Sequence, residues 1–159
     1  MSSPYQTGGD TMTRKARSCV FGVVVALGLG CGGDATGADS DGALGTWSAT
    51  KIEIVNTANS SIREDLISQG YSLTLAFSAG GTWVGTSKRP GEPAEGFSGV
   101  YVETGSTLTL TQLQPPPTIT MDFAKSISGN RMTLTSGDEY YDFGAGLVLA
   151  KSTWTLRRQ

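Results

Sequence analysis

The sequence predicts an all-β domain, an eight-stranded antiparallel up-and-down barrel with one short helix after the first strand. The first observation behind this prediction is the pattern from Leu44 onward, where large apolar residues alternate with threonine, serine and other small or polar residues. Such a period of two is typical of strands with one buried face. The second observation concerns the connections between the strands. Alternate connections of a meander lie at the same end, and the long ones here are the first, third, fifth and seventh.

Eight segments carry the alternating pattern of a strand. In one of them Ile119, Met121 and Phe123 share a face, and threonine and aspartate occupy the positions between them. Threonine suits the outward positions because β-branched side chains fit a solvated sheet surface. The predicted strands cover residues 45–56, 71–78, 82–87, 97–104, 107–113, 118–124, 131–136 and 151–158.

One segment between the first two strands has the signals of a helix. Residues 60–69 begin with a serine, Ser60 or Ser61, that can serve as N-cap, and Glu64 is placed for a capping box. Gly70 follows as a stop signal. We therefore expect a short helix here.

The connections predict an asymmetric barrel. The first, third, fifth and seventh hold the helix and all the long loops, whereas the others are short turns at residues 79–81, 105–106 and 128–130. A barrel open at one end and closed at the other needs this arrangement. The same strands also fit a two-sheet sandwich, although a sandwich has no reason to gather its long loops at one end.

Residues 1–30 have the layout of a secretory signal peptide. A short basic stretch at residues 14–17 precedes an uncharged apolar run at residues 19–30. Twelve helical residues span about 18 Å, well short of the hydrocarbon core of about 30 Å, so a stable membrane span is not expected. A basic flank, a short apolar run and small residues before a cut are typical of a signal. Because residues 1–11 are polar and precede the basic stretch, we expect Met12 to be the true start.

The end of the apolar run resembles the bacterial lipobox, in which a small residue precedes a cysteine that is diacylated and becomes the N terminus. Gly30 and Cys31 match these two positions, and Gly28 stands where the motif usually has leucine. The resemblance implies cleavage before Cys31 and a stable lipid anchor, since each buried CH₂ contributes about 0.8 kcal/mol. It places the protein in the cell envelope, facing the periplasm or the cell surface. Gly32 in place of aspartate after the cysteine favours the outer membrane.

The mature chain divides into a tether and a domain. Residues 32–43 are small and acidic, with no apolar side chain larger than alanine, so they cannot bury enough surface to become ordered. We expect residues 31–43 to be the lipidated cysteine and a flexible tether, and residues 44–159 to be the barrel domain. Cys19 leaves with the signal peptide, so the mature domain would hold no disulfide.

Charge and composition exclude several classes of function. Residues 31–159 contain nine basic and thirteen acidic residues, a net charge of −4, and no basic patch of the size that nucleic acid binding needs. The chain has no histidine. Cys19 would leave with the signal peptide and Cys31 would carry the lipid, so no thiol is free either. A structural zinc site and a histidine-dependent triad are therefore excluded. We expect no nucleic acid, metal or cofactor, and a membrane contact through the lipid anchor alone.

Four carboxylates are the remaining acid–base candidates, namely Asp122, Asp138, Glu139 and Asp142. Paired carboxylates can hydrolyse glycosides, but the spacing of these four is that of ordinary surface acids. We therefore expect a monomeric binding or structural protein with no catalytic residues.

The ends of the predicted barrel resemble the lipocalin superfamily, in particular small bacterial lipocalin-like domains of lipoproteins. Gly45-Thr46-Trp47 matches the G-x-W motif that opens the first strand, and Arg157-Arg158 closes the last. In that family a basic side chain of the final strand packs across the tryptophan as a cation–π contact at the closed end. The resemblance assigns this contact to Trp47 and Arg157, with Arg158 as the alternative.

The inward positions of the barrel allow two interpretations. They form either a packed core, as in many small barrels, or the lining of a pocket for one apolar or amphipathic molecule. The predicted inward residues are Leu73, Leu75, Phe77, Trp83, Tyr101, Leu108, Leu110, Met121, Phe123, Met132, Leu134 and Trp154. The candidate ligand-binding residues are Phe77, Trp83, Tyr101, Met121 and Phe123 inside, with Tyr140 and Tyr141 in the last long connection at the mouth.

Two functions follow from these interpretations. In the first, the protein binds or carries a small hydrophobic or amphipathic ligand. In the second, the barrel is solid, and its loop end recognises another envelope protein or a glycan. In both, the chain enters and leaves at the short-turn end, so the mouth would face away from the membrane.

We expect the native protein to start at Met12 and to carry its acyl groups on Cys31 after cleavage. Mass spectrometry of the protein from its native host should therefore give an acylated N-terminal peptide that begins at Cys31, and no peptide from residues 1–11. Recovery of a peptide from residues 1–11 would rule out the Met12 start, and a mature N terminus at another residue would rule out the lipobox interpretation.

Overall fold

The computed structural model describes residues 42–159, which form one antiparallel sheet of ten strands. Eight of these strands, all except β2 and β9, follow one another around a barrel, and β10 pairs back with β1 to close it. The predicted eight-stranded antiparallel barrel is therefore confirmed. The strands are β1 Gly45–Asn56, β2 Arg63–Asp65, β3 Ser72–Phe77, β4 Thr82–Lys88, β5 Glu95–Thr104, β6 Thr107–Gln114, β7 Ile119–Ser128, β8 Arg131–Ser136, β9 Glu139–Asp142 and β10 Leu147–Arg158.

The closing pair of strands has a bulge that changes which residues point inward. β1 and β10 pair from Trp47 opposite Arg158 to Asn56 opposite Ala150, with a shift of register between Ala49 and Lys51. An extra residue in one strand reverses the faces beyond it. Trp47 is accordingly buried before the bulge, and Ile52 and Ile54 are buried after it.

The prediction of a helix at residues 60–69 is wrong. None of the residues 42–159 lies in a helix that could cross a membrane. The segment forms β2, which pairs with Glu53–Val55 of β1, followed by turns. Asp65 Oδ1 accepts hydrogen bonds from the backbone nitrogens of Ile52 (3.3 Å) and Ile67 (3.1 Å). A ten-residue helix is marginal in water, so pairing with the free edge of β1 prevails.

The long connection before the last strand also contains sheet structure. β9 pairs with Leu147–Ala150, so β10 begins four residues before its predicted start at residue 151. Asp142 Oδ1 accepts hydrogen bonds from the backbone nitrogens of Gly144 (2.7 Å) and Gly146 (2.9 Å) and thereby holds the turn between the two strands. Both glycines have a positive φ, which the absence of a side chain permits.

The two ends of the barrel differ as the connection lengths predict. The turns at residues 78–81, 105–106 and 129–130 lie at the end where Gly45 pairs with Phe77 and where the Arg158 nitrogen donates to the Asn130 carbonyl (2.8 Å). The four longer connections lie at the opposite end. Hereafter these are the closed end and the open end.

A tryptophan organises the closed end. Trp47 is fully buried, and its indole nitrogen donates to the Ala43 carbonyl at 2.7 Å. The Ala43 nitrogen donates to both carboxylate oxygens of Glu103 at 3.1 Å, and Glu103 also contacts the nearly buried ammonium group of Lys125. Gly42 and Ala43, which we expected to be tether, are therefore part of the barrel.

The arginine that caps this tryptophan is Arg158, the alternative, rather than Arg157. The Arg158 guanidinium carbon lies 4.4 Å from the centre of the Trp47 ring, and its nitrogens donate to the carbonyls of Leu44 (3.0 Å) and Gly42 (3.2 Å). Arg157 is exposed on the outer face. The reason is strand alternation, since Arg158 shares a face with the buried Leu156.

We expect Arg158→Gln to lower the free energy of unfolding by about 1–2 kcal/mol, because it removes a cation–π contact and hydrogen bonds to the segment that seals the barrel. Arg157→Gln is the matched control and should change it by less than about 0.5 kcal/mol. Urea unfolding of the mature protein measures both values. Equal losses in the two variants would contradict the assignment of the cap to Arg158.

Candidate functional site

The open half of the barrel contains a cavity of about 240 Å³. Apolar side chains from several strands form its walls, and three polar residues, Gln112, Glu139 and Ser152, also line it. The apolar lining residues are Ile52, Ile54, Leu66, Tyr71, Leu73, Leu75, Trp83, Phe97, Leu110, Met121 and Trp154. The side chains of the closed half form a packed core, so the interior holds both a core and a cavity.

Two aromatic side chains shape one wall. The Trp83 indole nitrogen donates to the Val100 carbonyl at 3.0 Å, which satisfies its polar atom and leaves the ring against the cavity. The Phe97 ring packs edge-on to it, with centroids 5.7 Å apart. Gly85 makes this possible, because a Cβ atom there would lie 2.0 Å from the Phe97 ring. Any larger residue at position 85 would push Phe97 further into the cavity.

The chain between β2 and β3 covers part of the mouth. Leu66 lines the cavity, and its backbone nitrogen donates to the Ile52 carbonyl at 2.9 Å. The Tyr71 nitrogen donates to the Leu66 carbonyl at 3.0 Å and closes the turn between them. Both side chains pack against the core. This segment is therefore the roof of the cavity.

A hydrogen bond across the mouth joins β2 to β9. The Tyr141 hydroxyl donates to the Glu64 carboxylate at 2.9 Å, and the Tyr141 ring packs edge-on to Phe143 with centroids 4.8 Å apart. Burial raises the pKa of Tyr141 above its usual 10.0, and the hydrogen bond and charge of Glu64 raise it further, while Arg89 opposes them. The contact links the two long connections on either side of the mouth.

Two of the three polar residues of the cavity, Ser152 and Glu139, are joined by a chain of hydrogen bonds through Ser136. The Ser152 hydroxyl donates to Ser136 Oγ at 3.1 Å. The Ser136 hydroxyl in turn faces a Glu139 carboxylate oxygen at 3.2 Å as a donor. On the other side, Gln112 Nε2 donates to the Pro115 carbonyl at 3.1 Å. Within residues 42–159 every buried side-chain nitrogen or oxygen has a partner. These groups can meet the polar part of a ligand at the rim.

A side pocket of about 310 Å³ adjoins the cavity where the barrel wall is incomplete. β7 pairs with β8 only from Phe123 onward, so Ile119–Asp122 of β7 have no partner on that side. The side pocket lies between this part of β7 and residues 136–139. Four residues line both spaces: Met121, Glu139, Ser152 and Trp154. The cavity therefore has a lateral opening as well as the mouth.

The residues predicted to bind a ligand lie in several different places. Trp83 and Met121 line the cavity, and Phe123 lines the side pocket. Phe77 and Tyr101 pack edge-on at the closed end, with centroids 5.1 Å apart, and the Tyr101 hydroxyl donates to the Ser78 carbonyl at 3.0 Å.

The two mouth tyrosines face opposite ways. Tyr141 points to the mouth, where it lines a further pocket with Leu66 and Tyr71, while Tyr140 is 72% exposed. Strand alternation in β9 separates them.

Several lining residues were not among the predicted binding residues. Leu66 and Tyr71 lie in the segment expected to be helical or at its border, so their place in the roof was hidden. Gln112 follows Leu108 and Leu110 at a spacing of two and therefore lies on the inward face, a signal present in the sequence. Glu139 is an acid–base candidate in the sequence, but nothing in the sequence indicates that β9 brings it to the cavity.

No group of three or more residues capable of holding a metal ion occurs within residues 42–159. Comparisons with protein-family models, with curated proteins and with solved structures return no match for this chain.

We expect Tyr141→Phe to lower the free energy of unfolding by about 1 kcal/mol at neutral pH, the typical value of a hydrogen bond to a partly buried group. Because the pKa of Tyr141 is raised in the folded state, the protonated hydroxyl stabilises the fold. This stabilisation is fully present below pH 10.0 and is lost as the pH rises through the raised pKa. The difference from the parent protein should therefore shrink in strongly alkaline solution.

Tyr140→Phe is the control, since Tyr140 lies on the same strand and is exposed. Urea unfolding at several pH values measures both variants. An equal loss for Tyr140→Phe, or a Tyr141→Phe loss that is independent of pH, would show that the contact across the mouth does not stabilise the fold.

Proposed function

We propose that this protein is a lipid-anchored, lipocalin-like binding protein of a bacterial cell envelope, which holds a small apolar or amphipathic molecule inside its barrel. The observation that carries the proposal is the cavity in the open half, with apolar walls and polar groups confined to a few positions. Binding sites for small molecules have this composition, and the mouths of β-barrels are a common location for them.

The closed end supports the likeness to lipocalins. The G-x-W tryptophan, Trp47, is covered by a guanidinium group from the last strand, as the resemblance implies, although the residue is Arg158. The barrel has eight strands in up-and-down order, with its long connections at the open end. These features are compatible with the family and leave the identity of the ligand open.

The position of Gly42 supports the proposed orientation. Gly42 lies at the closed end, where its carbonyl accepts a hydrogen bond from Arg158 at 3.2 Å. A tether from a lipidated Cys31 would reach the barrel at this end. The mouth would then face away from the membrane, toward the periplasm or the exterior, and the ligand would be met there by a monomeric protein.

The size of the cavity limits the ligand. Pockets for drug-sized molecules usually measure about 300–1,000 Å³, and this cavity of about 240 Å³ is smaller. The ligand would be a short-chain or single-ring compound, unless it also extends into the side pocket. The proposal involves binding alone, with no catalytic step and no cofactor.

A second function is favoured by one feature of the outer surface. Tyr140, Leu147 and Leu149 are 72%, 70% and 44% exposed on the β9–β10 hairpin. Tyr140 pairs with Leu149, and Asp142 pairs with Leu147, so the three apolar side chains lie close together. Apolar side chains grouped in this way can mark a protein or glycan contact, which is the alternative of an interaction module.

The test of the binding proposal is titration of the mature protein with the uncharged dye N-phenylnaphthylamine, whose fluorescence rises in apolar surroundings. The rings of this dye would occupy the cavity together with the side pocket. We expect saturable binding of one dye per protein. Met121→Trp should weaken it by about tenfold or more, since the larger side chain would occupy the cavity. Val102→Trp adds the same group to an exposed position of the outer face and should bind as the parent does.

The near-ultraviolet circular dichroism of each variant confirms that it is folded. No saturable uptake by the folded parent protein, or equal binding by the two tryptophan variants, would reject the cavity as the binding site.

A further inference from the structure

The charged side chains that line the cavity and the side pocket are all carboxylates. Glu139 lines both spaces, and Asp122 and Asp138 line the side pocket. Neither space is lined by a lysine or an arginine among the described residues. The nearest ion pair is Asp138 with Lys151, at 3.7 Å between two exposed side chains. The lining of the two spaces therefore carries three carboxylates, of which one pairs with an ammonium group.

The Glu139 carboxylate, which borders both spaces, can accept further hydrogen bonds. Glu139 lies 3.2 Å from the Ser136 hydroxyl, which shares its one proton with the Gly137 carbonyl at 2.9 Å. Glu139 forms no ion pair within the described residues. A carboxylate offers about four lone-pair positions. A ligand that carries N–H donors or a positive charge can therefore be held at Glu139 without displacing a protein cation.

An aromatic pair lies next to the same opening. Trp154 lines both the cavity and the side pocket, as Glu139 does, and its ring packs against Phe123 with centroids 4.9 Å apart. The face of a tryptophan ring attracts cations through its quadrupole. The Glu139 carboxylate and the Trp154 indole thus both favour a positive charge at the boundary between the two spaces.

The cavity beyond this boundary suits a hydrocarbon group. Leu73, Leu75 and Leu110 form part of its wall and are each at most 5% exposed. An anionic amphiphile placed with its chain there would bring its charge to the carboxylates, and like charges at close range oppose binding. Arg89 lines an adjoining pocket, which shares Leu66 and Tyr71 with the cavity, but it does not line the cavity itself.

We infer that the molecule this cavity takes is an amphipathic cation, with its apolar part in the cavity and its ammonium group at Glu139 and Trp154. The inference rests on the proposed binding function and specifies the chemical class of its ligand. It accounts for the polar rim of the cavity, which offers a carboxylate and a hydroxyl acceptor beside an aromatic face.

The experiment compares three compounds that share one hydrocarbon chain and differ in charge: hexylammonium, hexanol and hexanoate. Each competes with N-phenylnaphthylamine for the mature protein at neutral pH and low salt. We expect the affinity for hexylammonium to exceed that for hexanol by about fivefold or more, and the affinity for hexanoate to be the lowest of the three. The preference should fall as salt is added, because the rim is open to solvent.

Glu139→Gln isolates the charge from the shape of the site. It should reduce the preference for hexylammonium over hexanol about fivefold while hexanol still binds, which also shows that the variant is folded. Glu92→Gln removes a carboxylate from an exposed position of the loop between β4 and β5, outside both spaces, and should keep the preference of the parent.

The remaining outcomes separate the inference from the proposed function. Equal binding of the three compounds, or tighter binding of hexanoate, overturns the cation inference and leaves the binding function standing, with Arg89 as the group to test for an anion. An unchanged preference in Glu139→Gln overturns the role of Glu139. Failure of the dye and all three compounds to bind overturns the proposed function and this inference together.

Discussion

The barrel depends on the closure between β1 and β10 around Trp47. These two strands are the first and last of the described residues, and the indole ring is held between the Ala43 carbonyl and the Arg158 guanidinium. The same contacts draw Gly42–Leu44 across the closed end, where Glu103 and Lys125 fix the Ala43 nitrogen. A buried tryptophan contributes a large apolar area, and its nitrogen needs a partner. Sealing one end thus satisfies both requirements.

Closure at one end has consequences for the other. Because the large side chains of the closed half fill its interior, the unfilled space lies in the open half, under the chain between β2 and β3. The bulge between Ala49 and Lys51 turns Ile52 and Ile54 toward this space. The early end of the β7–β8 pairing at Phe123 leaves the wall open beside it. Cavity and lateral opening therefore arise from where strand pairing is irregular.

Much of the fold could be predicted from the sequence, because its signals are local. All twelve predicted inward residues lie in the core or pack against it, since alternation follows from the geometry of a single strand. The same rule could have distinguished Arg158 from Arg157, because Trp154 and Leu156 already mark the inward face. The segment at residues 60–69 was predicted wrongly because its partner is Glu53–Val55 of β1. A local helix signal does not reveal that a distant edge is free.

The sequence by itself determined the eight barrel strands, the inward faces of those without a bulge, and the end at which the long connections gather, since these depend on residue spacing and turn residues alone. It also carries the lipobox-like residues around Cys31, which lie outside the described part of the chain. Only the tertiary structure decided that the interior holds both a core and a cavity, that Leu66 forms a roof, and that Glu139 and Trp154 line the same two spaces. Those facts depend on how side chains from strands far apart in sequence fill one shared volume.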